Sequence, residues 1–310
     1  MYCPNCGGLD CHKKGKTKNI QRYKCNYCEK TFRNTYNKDK LPNWVKQAYD
    51  DYLFKRFTLN DTAEKYKKSI PTIRKYFAKY NFQTEFININ NSDNSNHINL
   101  VFDTTFFKRD EGFLVFRANG KNIYAKEVKS EKAEDVLEVL KLLTKQGYIF
   151  RSFTVDGRKG VIANLKRYYP NIPIQLCQFH QSQIIRRYIT NNPRTECGIE
   201  LKKLMKNISL FEEENFKNNF QCLQKKYESF LKERNENNQF MHKRLRSAFR
   251  SLKTNLSYLF TCKNYPNLQI PNTTNSCEGS FGHWKSKIKI HRGLNKKTKS
   301  RMVMDLIKKC

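Results

Sequence analysis

Seven residues of this chain could do chemistry by type and spacing. Cys3 and Cys6 form one Cys-x-x-Cys pair, and Cys25 and Cys28 form a second after an 18-residue spacer. Each pair turns two thiolates toward one point, and two pairs together make a tetrahedral four-sulfur site suited to Zn²⁺. A redox-active pair would need a strand-helix context of the thioredoxin kind, which the neighbouring sequence lacks. Cys11 and His12 lie close by and are read as bystanders. The other three residues are acids: Asp103, Asp156 and Glu278. Two carboxylates brought side by side in a poorly solvated site repel by several kcal/mol, ~4 kcal/mol at 4 Å for an effective dielectric of 20. A divalent cation relieves that repulsion, and hard oxygen donors suit Mg²⁺ or Mn²⁺.

Each acid also has a plainer reading. Asp103 could be a strand-end residue and Asp156 the first half of an Asp-Gly turn. Glu278 could close a capping box with Asn275, three positions earlier. Glu212–Glu214 are rival candidates for a third carboxylate, and read as the solvated start of a helix, where acids suit the dipole.

The elements around the acids decide between these readings. Asp103 lies inside the apolar run INLVFDTTFFKR (98–109). GFLVFRA (112–118) and NIYAKEV (122–128) follow, joined by Asn119-Gly120, a hairpin signal. A helix is predicted over 130–147, capped by Ser130, with Val136, Leu137, Leu140 and Leu143 as its buried stripe. IFRSFTVD (149–156) is a strand that stops at Asp156. A helix over about 158–169, a strand over 172–177 and a helix beginning QFHQ come next. A helical crossover after the hairpins makes the fourth strand parallel to the first, so Asp103 and Asp156 are expected on neighbouring strands. Residues 191–270 read as helical almost throughout, an all-α insertion before Glu278.

Upstream, residues 1–36 are predicted to be a zinc ribbon and 41–81 a helix-turn-helix. The last of its three helices opens at Ser69-Ile70-Pro71. Ile73, Tyr76 and Phe77 should face inward, and Thr72, Arg74, Lys75 and Lys79 outward, able to meet a DNA groove. Residues 82–97, rich in Asn and Ser, read as a flexible linker. The catalytic unit is assigned to 98–190 and 271–310.

The 310 residues carry a net charge of +32. That excess calls for a polyanionic partner, with nucleic acid first. Lys285, Lys287, Lys289 and Arg292 follow Glu278 and are read as a phosphate-holding face, with Trp284 as a packing residue. No apolar run is long enough to span a bilayer and no signal peptide opens the chain, so a cytoplasmic, nucleoid-associated protein is expected. Eleven cysteines, an odd number, fit thiols and metal ligands better than a disulfide framework.

The strand order resembles the ribonuclease H-like fold. Over residues 98–310 the chain resembles DDE transposases, specifically the Mutator-like group with bacterial insertion-sequence members. VFDTTF around Asp103, TVDG around Asp156, CQFH (Cys177 to His180), TTNSCEGSFGHWK around Glu278 and HRGL (291–294) carry the likeness. The resemblance implies an α/β, ribonuclease H-like catalytic domain interrupted by the helical insertion. It implies Asp103, Asp156 and Glu278 as catalytic Mg²⁺ ligands, with Cys177 and His180 shaping the active site or contacting DNA. Partners would be double-stranded DNA, both terminal inverted repeats and target, bound by a homo-oligomer. Three rivals stand beside this: a non-catalytic, domesticated DNA-binding regulator, a junction-resolving nuclease of the same fold, and an RNA-binding zinc protein.

Overall fold

The computed structural model describes residues 3, 5–6, 8–33, 41–80, 86–87 and 96–309. The chain divides into two compact units, Met1–Asn81 and Phe82–Cys310.

In the first unit, β1 (Cys11–Thr17), β2 (Ile20–Cys25) and β3 (Thr31–Arg33) form an antiparallel sheet in that order. The β1–β2 turn uses Lys18 and Asn19, both at positive φ, as a tight hairpin requires. Three helices follow: α1 (Trp44–Phe54), α2 (Leu59–Tyr66) and α3 (Ile70–Lys79). Thr58 caps α2, and Asp61 completes its capping box. Ser69 caps α3, with Pro71 in its first turn where a missing N–H costs nothing. Val45, Ala48, Tyr52 and Leu53 are buried, Ile73 is buried as expected, and Tyr76 and Phe77 are half-buried. One buried residue of the three helices carries a charge. Asp51 is 1% exposed and its carboxylate meets Lys55 Nζ at 2.8 Å, Lys65 Nζ at 2.6 Å and the Tyr66 hydroxyl at 2.7 Å.

Most of the proposed linker at 82–97 lies outside the described residues. Phe86–Ile87, however, form a short strand, β4, paired with Ala125 and Tyr124, so this stretch is not wholly a connector. The second unit continues with β5 (His97–Lys108), β6 (Glu111–Ala118), β7 (Lys121–Val128), α4 (Ala133–Lys145), β8 (Ile149–Val155), α5 (Lys159–Tyr168), β9 (Ile174–Leu176) and α6 (Gln178–Ile189). Among the described residues these strands make one sheet in the order β4-β7-β6-β5-β8-β9. β5 pairs antiparallel with β6 and parallel with β8. The predicted crossover is therefore present. Helix α4 starts later than expected: Lys132 is its N-cap and no side chain caps it, so Ser130 does not.

The insertion comprises α7 (Glu196–Lys206), α8 (Glu213–Lys226), α9 (Glu228–Lys232), α10 (Lys243–Leu259) and α11 (Thr261–Asn264). It is not a separate body. Phe216, Phe220, Phe249, Leu252 and Phe260 join Leu100, Phe116, Leu140 and Phe153 in one buried cluster. Buried amides add to the join: Gln175 Nε2 and Gln178 Nε2 both donate to the Leu259 carbonyl, at 2.9 and 2.8 Å. The chain returns through α12 (Asn275–Ile290) and α13 (Lys296–Lys308), which pack on β5 and β7.

Candidate functional site

The parallel β5–β8 register sets the site. Val101 stands opposite Thr154. Asp103 lies two residues further along β5, and Asp156 lies one residue past the end of β8 at Val155, so the two acids come from the same end of neighbouring parallel strands. Gly157 follows at φ +95°, letting the chain turn sharply out of the sheet. The Asp-Gly turn and the site thus share one residue: Asp156 Oδ1 accepts from the Arg158 N–H at 3.2 Å while the side chain stays half-buried.

Glu278 arrives from the far side of the insertion. Polar strand residues fix its approach. Asn99 Nδ2 donates to the Leu268 carbonyl at 2.6 Å, and Thr154 Oγ1 to that of Pro271 at 2.8 Å. Arg117 on β6 donates to the Ser276 carbonyl at 2.7 Å and to Ser280 Oγ at 2.8 Å, one contact on each side of Glu278. The capping-box reading fails here. The N-cap of α12 is Thr274, and no side chain caps the helix. Instead Glu278 Oε1 lies 3.4 Å from His180 Nε2.

Thr274 is the hub of this contact. Its hydroxyl lies 3.4 Å from Cys177 Sγ, 3.3 Å from His180 Nδ1 and 3.4 Å from Glu278 Oε1. With one proton it donates to one of these at a time. Cys177 caps α6, accepting from the N–H groups of His180 at 3.4 Å and Thr274 at 3.2 Å. Cys177, His180 and Glu278 offer ligand atoms all within 4.8 Å of one another. The Cys-x-x-His pair, incomplete alone, thereby gains a third potential ligand. Asp103 and Asp156 fall outside that tight group.

The electrostatics tie the acids together all the same. Burial pushes the Asp103 carboxyl up to about 7; the charges of Asp156 and Glu278 add to this, while His180 and the Thr104 N–H oppose it. A fourth carboxylate stands here. Burial, helped by Asp156 and Asp103, raises Glu131 to about 7 against the pull of Arg158. Arg158 Nη2 meets Glu131 at 2.8 Å, and its Nε is 3.6 Å from Asp156. The Cys177 sulfur, joined by Asp103 and Glu278, raises His180 to about 9 even though burial opposes it. Burial likewise opposes ionisation of Cys177, yet hydrogen bonds from His180 and Thr274 carry it below its ordinary value.

Glu131, Arg158 and Thr274 were not singled out by sequence reasoning. Glu131 sits in a polar stretch before α4 that looks like any helix entry. Thr274 lies inside the Asn-rich approach to Glu278, which was the available signal. Glu212–Glu214 lie at the start of α8, where Glu212 pairs with Lys263 and Glu213 with Lys217, away from the site.

The basic face on α12 needs correction. Lys285, Lys289 and Arg292 are exposed, but Lys287 is buried beside Trp284 and Ile288. Positions 285 and 287 differ by about 200° around a helix, so they cannot share a face. Trp284 is fully buried, the packing residue expected. On α3, Arg74, Lys75 and Lys79 are exposed and Thr72 is half-buried, its hydroxyl 2.9 Å from that of Ser69.

The four N-terminal cysteines converge as predicted. Cys3 and Cys28 sulfurs are 3.6 Å apart and those of Cys6 and Cys25 are 3.5 Å apart. Sulfurs bound tetrahedrally at the Zn–S length would sit ~3.8 Å apart, so the cluster is compatible with zinc. The Cys28 N–H, with that of Tyr27, draws Cys25 down to about 6, while the hydrogen bonds Cys6 shares with Cys28 and Cys25 push Cys6 up to about 12, so the proton sits on Cys6. Cys11 Sγ donates instead to the Gly8 carbonyl and His12 contacts Asn26, outside the cluster.

No protein-family model matches this chain, and no curated protein matches it either. Among the described residues, no helix is long and apolar enough to cross a membrane.

Proposed function

We propose that the chain is a DNA transposase of the DDE type, cutting DNA strands at the ends of a mobile element and joining them to target DNA. The observation that carries this reading is that Asp103 on β5 and Asp156, just past the end of the parallel neighbour β8, act on one another electrostatically together with Glu278 from a separate helix. The strand order, three antiparallel strands followed by two parallel ones, supports a ribonuclease H-like catalytic unit.

The donor set fits a hard divalent cation. Burial first, then the neighbouring acids, holds Asp103 and Glu131 in their protonated forms to about 7, and a bound cation would favour their ionised forms. Asp103, Asp156 and Glu278 would hold Mg²⁺ or Mn²⁺. When bound, the ion supplies water activation and charge neutralisation for phosphodiester cleavage. The chain's own residues do the positioning. Thr274 and His180 orient Glu278, the Thr104 N–H holds Asp103 Oδ1 at 2.8 Å, and Arg158 steadies Asp156. The protonated His180 also offsets carboxylate repulsion in the metal-free state. Residues 1–80 would provide the DNA-reading head, with zinc holding the ribbon and Arg74, Lys75 and Lys79 facing phosphate. Cytoplasmic action by a homo-oligomer bridging two DNA ends completes the reading.

The test is cleavage of duplexes that carry the DNA flanking the gene. Mg²⁺-dependent nicking is expected from the native chain and not from Glu278→Gln or Asp103→Asn, with DNA binding kept in both. A variant of either kind that still cleaves would remove that residue from the site.

A further inference from the structure

Helices α6 and α10 run antiparallel: Gln181 hydrogen-bonds with Ser251 and Asn255, and the Arg244 guanidinium donates to the Arg187 carbonyl at the other end. Between them lies a groove of about 710 Å³ that begins at Gly157, the residue after Asp156. Four of its lining residues are cations: Lys159, Arg187, Arg244 and Arg250. All four are exposed. No acid lines the groove. Among the described residues, no carboxylate forms an ion pair with any of the four.

Elsewhere part of the cationic surface is offset by acids. Lys126, Lys217, Lys226 and Lys299 all sit on acids. In the groove, the same charge is set beside hydroxyl and amide groups, among them Ser247, Thr254 and Asn255. On α10, positions 244, 247, 251 and 254 recur every three or four residues, so one helical face supplies this lining. Uncompensated guanidinium groups spaced along a channel, with hydroxyl donors between, suit successive phosphates of a nucleic-acid backbone.

We propose that the α6–α10 groove is the track that holds the DNA backbone leading away from the scissile phosphate on the Asp156 side. This rests on the transposase reading and deepens it, because it gives the helical insertion a substrate-binding role. Arg187 and Arg250 are the principal phosphate contacts. Arg244 both faces the groove and ties α10 to the end of α6.

The experiment uses the full-length chain carrying Arg187→Gln and Arg250→Gln together. Binding to a duplex of arbitrary sequence is measured across a KCl titration, with nicking assayed in parallel. The slope of log K against log salt should fall by about 1 to 2, close to 0.9 for each phosphate that is no longer neutralised. The Arg187→Lys, Arg250→Lys pair should keep the native slope. As a check independent of stability, a photo-crosslinking side chain at Thr254 should capture DNA in the otherwise native protein. An unchanged slope in a folded glutamine variant, or no capture at Thr254, overturns the groove. If the slope falls and DNA is captured but the native chain never nicks, the groove stands and the cleavage reading fails.

Discussion

The backbone N–H of Thr274 lies 3.2 Å from the sulfur of Cys177, a residue 97 positions earlier in the chain. Each is the N-cap of a helix, α12 and α6 respectively. That contact joins the two ends of the insertion and fixes Glu278 against His180 on the turn that follows. Glu278 is therefore positioned by a junction of two helix starts.

Thr274→Val tests this junction. It keeps the shape and the backbone contact but removes the hydroxyl that reaches Cys177, His180 and Glu278. Nicking is expected to fall about tenfold or more, the range seen when a group that orients a metal ligand is removed. DNA affinity should be unchanged. Cleavage at the native rate would show that the hydroxyl orients nothing that matters.

The crowded acids predict a specific pH dependence for the metal-free protein. Asp103 and Glu131 hold their protons to about 7 in the folded state, against ordinary values near 4. The folded chain thus binds more protons than the unfolded one between those limits, so their contribution to stability falls as pH rises from about 4 to about 7. Thermal unfolding followed across that range in chelator should show the loss. Saturating Mg²⁺ at pH 7 should restore about 5 °C. Asp103→Asn should melt higher than the native chain in chelator at pH 7 and lose the Mg²⁺ response. An Mg²⁺ shift of native size in that variant would separate Asp103 from the ion.

Metal counting separates the two cysteine-containing clusters. One zinc per chain is expected in the purified protein, and none after Cys25→Ser. The ribbon should then unfold, since so small a module draws most of its folding energy from the metal. Elemental analysis giving a second zinc, lost on Cys177→Ser, would mean that Cys177, His180 and Glu278 hold a transition metal and that Glu278 is not free for Mg²⁺.

Asp51 is the polar anchor of the three-helix unit. Lys55 and Lys65 hold its carboxyl well below the usual range, with Tyr66 assisting against burial. A lowered value adds stability above the ordinary pKa that is lost as pH falls below about 4. Asp51→Ala should cost about 2 kcal/mol, the loss of charged hydrogen bonds at a buried position. It should also weaken DNA binding by loosening α3. Chemical denaturation of residues 1–81 within the full chain, read from a probe on α3, would measure it. No change would mean that Asp51 does not hold α2 to α1.

Local signals in the sequence were enough for the parts that depend on local order. Four cysteines in two knuckles, alternating apolar strands, Asn119-Gly120 and the helix starts at Ser69 and Cys177 all act within a few residues, and the observed elements follow them closely. The exceptions were small shifts in capping, at Lys132 in place of Ser130 and at Thr274 in place of Asn275, where neighbouring polar residues compete and packing chooses.

The periodicity of a single helix did not tell which of Lys285, Lys287 and Lys289 would be buried, although 287 had to oppose 285 once Trp284 turned inward. The gathering of Glu131, Arg158 and Thr274 around the acids had no local signature. Those residues meet because separate chain segments come together at one end of the central strands. Sequence alone determined the elements and the types of group available, since hydrogen bonding and side-chain alternation act over short spans. Only the tertiary structure decided which acids share a field and which cations remain without one, because charge acts through space and the fold sets those distances.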